Sequence, residues 1–376
     1  MTTRARRPAG RVGQPPLALD ALQARRDRLR VRFAEERIDA VAIVALPNVR
    51  YLAGFTGSNG ALLITGDREI LLTDSRYQIQ AGQESDCDVQ IVKGSLTAAL
   101  AESAQRLRVL RLGFERNRIS LEDYHRLYAG RGRTRLKPLA YFVEQHRVLK
   151  SPEEIATIRA AVELNSAALE QALRRYKPGT TEIELAAEIE YRMRKLGAEG
   201  PSFETIVASG PRSALPHARP SRNEIVADQL LLIDMGATVA GYTSDMTRTV
   251  AVGELGAKGR RMYQAVRESQ LAALNAVKPG VPASAVDAAA RRVLRHKGLD
   301  KLFLHSTGHG LGLEIHEPPR LGRREAIRLE AGMVITVEPG VYFEGFGGVR
   351  IEDTVVVTPG GCEILTPTTK ELRSLV

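Results

Sequence analysis

Cysteine is scarce in this chain. Cys87 and Cys362 are the only two and form no motif, which excludes a disulfide framework and points to a reducing, cytoplasmic setting. Long apolar runs are missing too: no stretch approaches the roughly 18 residues that a membrane helix needs, so no membrane partner is expected. Residues 1–18 are basic, with Arg4, Arg6, Arg7 and Arg11, and lack the apolar core of a secretory signal. An Arg-rich, acid-poor start also suits a transit peptide; a disordered tail is the simpler reading. The net charge of +10 comes from 54 basic and 44 acidic residues. No RNA-binding or helix-turn-helix signature accompanies it, and the arginines are scattered over polar helix faces such as Arg25 to Arg32, so no nucleic-acid partner is expected either. The run Gly54, Gly57, Gly60 lacks the spacing and acidic follow-up of a dinucleotide fingerprint and reads as turn chemistry.

What is present is an ordinary globular composition, 43% hydrophobic and 26% charged over 376 residues, enough for two domains and a large core. An amphipathic helix is expected over residues 17–38. Short apolar runs then alternate with helical stretches. The runs are Val41 to Leu46, Ala61 to Thr65, Ile70 to Thr73, Val89 to Lys93 and Val109 to Phe114; the helical stretches include Ser75 to Glu84 and Leu96 to Leu107. That alternation predicts an α/β layer. A boundary falls near Leu149–Glu154, where Ser151 is a plausible N-cap, Pro152 suits the first helical position and Glu154 completes a capping box. A long helix should run from there to about Tyr176.

The second half contains an internal echo. Lys177-Pro178-Gly179 recurs as Lys278-Pro279-Gly280, and at the same offset Ala172-Leu173 matches Ala273-Leu274, Arg194 matches Arg295 and Gly197 matches Gly298. Each copy reads helix, turn, helix, glycine stop, followed by strands. Two related α/β halves are expected, with helices outside, sheet inside and a cleft where they meet.

Carboxylates interrupt the strands. Leu230 to Ile233 runs into Asp234, and a glycine-containing turn leads back through Asp245 to Met246, a plausible hairpin. Glu338 ends the run Val334 to Val337, and Glu352 follows Val349-Arg350-Ile351. Acidic residues rarely sit in such strands without a partner, and half-buried carboxylates that repel each other become affordable beside a divalent cation. Of seven histidines, His305, His309 and His316 cluster in a glycine-rich stretch, and His217 follows Ser213-Ala214-Leu215-Pro216. A lone histidine is usually structural; four near carboxylate-bearing strands shift that balance. Four carboxylates and one imidazole suit two divalent ions. Mn²⁺ or Co²⁺ fits that set better than a thiolate-loving metal, and Zn²⁺ stays open. Such ions, about 3.5–4 Å apart, lower the pKa of a shared water, leaving other histidines for proton transfer or oxyanion stabilisation.

Together these motifs resemble the pita-bread metallopeptidases, within them the Xaa-Pro aminopeptidase and prolidase branch. The resemblance runs from about residue 20 to the end. It includes Asn48 to Ser58 and Leu72 to Tyr77 in a creatinase-type N-terminal domain. It implies an α/β (α+β) chain with that domain over residues 19–146 and, over 147–376, a pita-bread catalytic domain with a pseudo-twofold internal repeat. Carried over by motif, Asp234 resembles a ligand of one metal, Asp245 and Glu352 bridging ligands, and His309 and Glu338 ligands on the other side. The resemblance also implies that Glu338 serves as base and proton shuttle to a metal-bridging hydroxide. His217 and His316 look like the pair flanking the scissile carbonyl, and His305 like a histidine that contacts substrate. Arg350 resembles the arginine that orients a ligand carboxylate. No member of the ligand pattern is missing, unlike in metal-free relatives such as creatinase.

The resemblance further implies cleavage next to proline, whose tertiary amide has no N–H for a general peptidase to grip. Tyr342 and the Phe55 loop are candidates for lining the proline pocket. The reading favoured here is an Xaa-Pro aminopeptidase using two divalent ions, Mn²⁺ first; the alternative is an Xaa-Pro dipeptidase, with the Gly54-to-Asn59 loop and Arg50 or Arg76 as blocking elements. Proline-containing peptides are the expected substrates, and a homodimer is implied.

Overall fold

The computed structural model describes residues 19–375; the expected basic tail lies outside them. The chain divides into two compact units, Met1–Arg147 and Val148–Val376.

The first unit opens with helix α1 (Leu19–Glu35), strand β1 (Ala40–Ile43), helix α2 (Leu46–Ala53) and strands β2 (Gly60–Thr65) and β3 (Glu69–Thr73). A 3₁₀ turn leads into α3 (Gln78–Glu84), then β4 (Asp88–Ile91), α4 (Leu96–Arg106), β5 (Arg111–Glu115), α5 (Leu121–Ala129), β6 (Arg135–Leu139) and α6 (Glu144–Arg147). The six strands form one sheet in the order β4-β3-β2-β1-β5-β6. The β1–β2 and β2–β3 pairs are antiparallel and the others parallel. Each expected apolar run becomes a strand. The first is shorter than expected, because Pro47 opens α2 immediately after it. Serines cap two of the helices: Ser95 accepts from the Ala98 N–H and Ser120 from the Asp123 N–H. Ala40, Ala42, Leu63 and Leu112 of the sheet pack against Leu100 and Ala104 of α4 and Leu127 of α5.

The second unit begins with α7 (Pro152–Leu173), which carries the expected capping box on Ser151 and Glu154. Next come α8 (Glu182–Lys195), β7 (Gly200–Pro201), β8 (Ile206–Ser209), β9 (Gln229–Met235), β10 (Ala237–Val239), β11 (Tyr242–Thr243) and β12 (Met246–Val252). The second repeat supplies α9 (Ala257–Ala276), α10 (Ala283–His296), β13 (Gly308–Gly310), β14 (Glu317–Leu321), β15 (Val334–Val337), β16 (Gly340–Phe343), β17 (Gly347–Arg350), β18 (Asp353–Thr358), β19 (Gly361–Ile364) and β20 (Ser374–Leu375).

The echo in the sequence is a repeat in space. Helices α8 and α10 are both 14 residues long and start and stop at equivalent positions. Gly179 and Gly280 before them, and Gly197 and Gly298 after them, all take positive φ, the left-handed conformation that glycine adopts without strain. In the first half, Leu231 and Ile233 of β9 pack under Leu169 and Ala172 of α7 and Leu185 and Ile189 of α8. In the second, Ile335 and Val337 of β15 and Val355 of β18 pack under Val266 of α9 and Val286 and Ala290 of α10. The two sheets, β20-β12-β9-β8 and β14-β13-β15-β18-β19, each contain an antiparallel pair at their centre, β9–β12 and β15–β18. No described helix is long and apolar enough to cross a membrane.

Candidate metal centre

The two central strand pairs place four carboxylates by one rule. In each half, one acid lies at the end of the first strand and the other just ahead of the second. Asp234 is in β9, opposite Thr247 of β12. Asp245 immediately precedes β12, after a turn that is itself a small hairpin of β10 and β11 closed by Ala240 and Gly241, both at positive φ. Glu338 immediately follows β15, and Glu352 precedes β18. A strand end holds a side chain firmly yet leaves it at the mouth of the sheet, where it can meet a ligand.

His309 joins them from β13. Gly308 and Gly310 flank it, and a Cβ on Gly308 would stand 1.9 Å from Thr336 O and one on Gly310 2.3 Å from Pro318 O. Only glycine lets β13 fit between β14 and β15 and present the imidazole. His309 Nδ1 lies 3.0 Å from Gly310 O, so that nitrogen carries the proton and Nε2 keeps its lone pair. Nε2 lies 3.5 Å from Asp245 Oδ2 and 3.4 Å from Glu338 Oε1. Donor atoms of Asp245, His309 and Glu352 all lie within 4.8 Å of one another.

The electrostatics of this cluster are unfavourable without a cation. Burial, then the nearby Glu352, Asp234 and Glu338, pushes the Asp245 carboxyl well above the usual carboxylate range. Burial, then Glu338 and Asp234, does the same to Glu352, and burial raises Glu338 against the pull of His305 and Arg350. Burial lowers His309, keeping its imidazole neutral and able to bind a metal. Asp234 Oδ1 and Glu352 Oε1 are buried with no hydrogen-bond partner. Two orphaned carboxylate oxygens, more acids than bases and one deprotonated imidazole nitrogen make a donor set that fits divalent cations.

Arg350 organises one side. Its Nη2 donates to Asp234 Oδ2 at 2.6 Å, Nη1 to Tyr342 Oη at 2.7 Å and Pro216 O at 3.2 Å, and Nε to Thr247 Oγ1 at 2.9 Å. The Thr247 hydroxyl donates to Glu352 Oε2 at 2.7 Å. Burial works against the Arg350 charge, but Tyr342, Asp234, Glu338 and Glu352 hold it firmly protonated. Tyr342 is pushed up to about 12 by burial, so it keeps its proton and donates to His305 Nε2 at 2.8 Å, while His305 Nδ1 faces Ser306 O at 2.8 Å. Burial lowers His305 and His316 alike. The His316 ring stacks edge-on to His309 with centroids 4.4 Å apart, which covers part of an otherwise exposed residue, and His217 is exposed.

The metal-ligand candidates read from the sequence, with His217, His305, His316, Tyr342 and Arg350, therefore fall in one region of the second unit. Phe55 does not join them: it is packed inside the first unit, edge-on to Tyr77 at 5.8 Å, and has no face left for a substrate. The sequence reading missed Thr247 and Thr336. Threonine is common in strands, and only the strand pairing shows that Thr247 stands opposite Asp234 and that Thr336 Oγ1 donates to Glu338 Oε1 at 3.2 Å.

Over 89% of its length, the chain is 38% identical to the Xaa-Pro dipeptidase of Pyrococcus horikoshii, spanning 94% of that protein. Its structure superposes on an Xaa-Pro dipeptidase from Bacillus anthracis with a TM-score of 0.91 at 40% identity, covering 94% of this chain and 100% of that one. It also superposes on an X-Pro aminopeptidase from Thermotoga maritima with a TM-score of 0.87 at 39% identity, covering 93% and 99%. Residues 25–149 match the creatinase/prolidase N-terminal domain. Residues 156–359, which hold every carboxylate and histidine of the centre, match metallopeptidase family M24, and to that family of divalent-metal peptidases the chain belongs.

Proposed function

We propose that the protein is an Xaa-Pro dipeptidase that works with two divalent ions, held by Asp234, Asp245, His309, Glu338 and Glu352. The observation that carries this reading is the gathering of Asp245, His309 and Glu352 donor atoms within 4.8 Å of one another, with Glu338 3.4 Å from His309, Asp234 close enough to act on Asp245, and two carboxylate oxygens unsatisfied. The aminopeptidase reading favoured from the sequence gives way to its alternative, because full-length relatives are named Xaa-Pro dipeptidases. The Thermotoga maritima structure named X-Pro aminopeptidase keeps the chain-length question an experimental one.

Bound at these residues, divalent ions would polarise the scissile carbonyl and acidify a water. The protein supplies the rest. Glu338 would take a proton at its carboxylate and return it to the departing proline nitrogen, a poor leaving group unless protonated. His217 and His316, both exposed residues, would offer N–H donors to an oxyanion as it forms. His305 is fixed by Tyr342 and so offers an oriented ring rather than a mobile base. Arg350 and Thr247 hold Asp234 and Glu352 in place. Mn²⁺ is the metal of first choice for an oxygen-rich set, and a homodimer and proline-containing substrates complete the proposal.

The test is hydrolysis of Ala-Pro, Ala-Pro-Ala and Ala-Ala-Ala with Mn²⁺ present. Cleavage of Ala-Pro alone is expected. Cleavage of Ala-Pro-Ala would restore the aminopeptidase reading, and inactivity of the metal-loaded protein on both proline substrates would overturn the proposal. Asp245→Ala should abolish both turnover and metal loading.

A further inference from the structure

The loop that carries His217 is closed on a single carboxylate. Glu182, fully buried at the first position of α8, accepts from the Ser209 N–H at 2.8 Å and the Ser209 hydroxyl at 3.0 Å. It also accepts from the Ser221 N–H at 3.1 Å and the Ser221 hydroxyl at 2.7 Å. The two ends of the segment 209–221 therefore meet on one side chain. Arg212 Nε lies 3.0 and 3.3 Å from the two Glu182 oxygens, which fixes the plane of the guanidinium. Its Nη2 then reaches across the loop to Arg219 O at 2.6 Å, two residues from His217. The metal-side face of the loop is fixed independently. Pro216 O accepts from Arg350, and the Gly348 N–H donates to Ser213 Oγ at 2.8 Å.

The other half of the repeat uses the same device. Asp287 of α10, buried, accepts from Thr307 Oγ1 at 2.8 Å and Arg291 Nε at 2.7 Å. Arg291 in turn donates to Phe303 O at 3.1 Å and to His305 O. In both halves a buried carboxylate on the second helix orients an arginine that grips the backbone of a histidine-bearing loop. A buried ion pair is weak evidence for stability, since apolar residues of like volume often serve as well. Its recurrence at both histidine loops points instead to geometry.

We propose that Glu182 and Arg212 are positioning residues that set the place of the His217 imidazole over the metal cluster. The proposal rests on the reading of His217 as a substrate-facing group in the proposed dipeptidase. The side chain of Arg212 is 30% exposed, and Glu182 keeps its hydrogen bonds from Ser209 and Ser221 without it, so its replacement should leave the chain folded but less stable, because a buried carboxylate loses its cation. Arg212→Gln should lower kcat/KM for Ala-Pro by about 10- to 100-fold, while divalent-metal affinity by calorimetry stays near that of the parent. Arg212→Lys keeps the charge without the planar fork and should fall by a similar factor. The deciding measurement is a double-mutant cycle: in a His217→Ala background, Arg212→Gln should cost less than about twofold. Equal losses in both backgrounds, or no loss from Arg212→Gln alone, would overturn the role of Arg212. Full activity of His217→Ala would instead overturn the reading of His217 beneath it.

Discussion

At the scale of single residues, Thr247 shows how much of the site rests on groups that carry no chemistry of their own. Its hydroxyl accepts from Arg350 and donates to Glu352, joining a line of hydrogen bonds that runs on through Tyr342 to His305. A carboxylate on one strand and an imidazole on a distant loop are thereby fixed relative to each other. Thr247→Val keeps the shape and the strand preference but removes both bonds. We expect the fold to survive and divalent-metal affinity to fall about 10- to 100-fold, the usual cost of losing a partner of a metal ligand. Calorimetric titration with Mn²⁺ checks this, and an unchanged affinity would mean that Arg350 alone orients the cluster. The carboxylates and histidines were legible in the sequence because acids in β-branched strands are anomalous. Thr247 was not, because a threonine in a strand is ordinary and its partners lie about a hundred positions away.

At the scale of elements, α2 shows a helix whose start is set from outside. Ala45, at its N-cap, has no side chain to offer. Glu115, from the end of β5, accepts from the Val44 and Ala45 N–H groups at 2.6 and 2.9 Å and from Asn48, placing a carboxylate where the helix dipole favours it. Burial nevertheless dominates and raises Glu115 from 4.5 to about 7. A raised carboxyl pKa means that the folded chain binds more protons than the unfolded chain between those two values, so this group's contribution to stability falls as pH rises from 4.5 to 7 and is flat beyond. Over that window the parent should lose about 3 kcal/mol relative to Glu115→Gln. Denaturant unfolding of both proteins across the window reads the difference; parallel profiles would show that Glu115 titrates normally. The strands with apolar runs were legible, as was the capping box of α7. Strand β6 was not: Arg135-Leu136-Lys137-Pro138-Leu139 has no such run, and it holds Pro138 because it lies at the sheet edge.

At the scale of the second unit as a whole, the repeat was legible because glycines at equivalent turns are forced by φ, and the structure shows why two halves are needed. Asp234 and Asp245 come from the β9–β12 half, and Glu338 and Glu352 from the β15–β18 half. Neither half holds a full donor set. A cation bound among them ties the two sheets together and relieves the repulsion that lifts Asp245 and Glu352. Because the donors converge only in the folded chain, ions that bind there stabilise it by mass action, by about 4 kcal/mol at a free concentration a thousand times the dissociation constant. Thermal unfolding in chelator and in rising Mn²⁺ should therefore show a midpoint that climbs with the logarithm of metal concentration. Glu352→Gln should flatten that climb, and it should also raise the midpoint in chelator, since it removes one of four mutually repelling acids at little change in volume. A parent whose midpoint ignores Mn²⁺, or a variant less stable than the parent in chelator, would show that the cluster is held together by hydrogen bonds rather than poised for a cation.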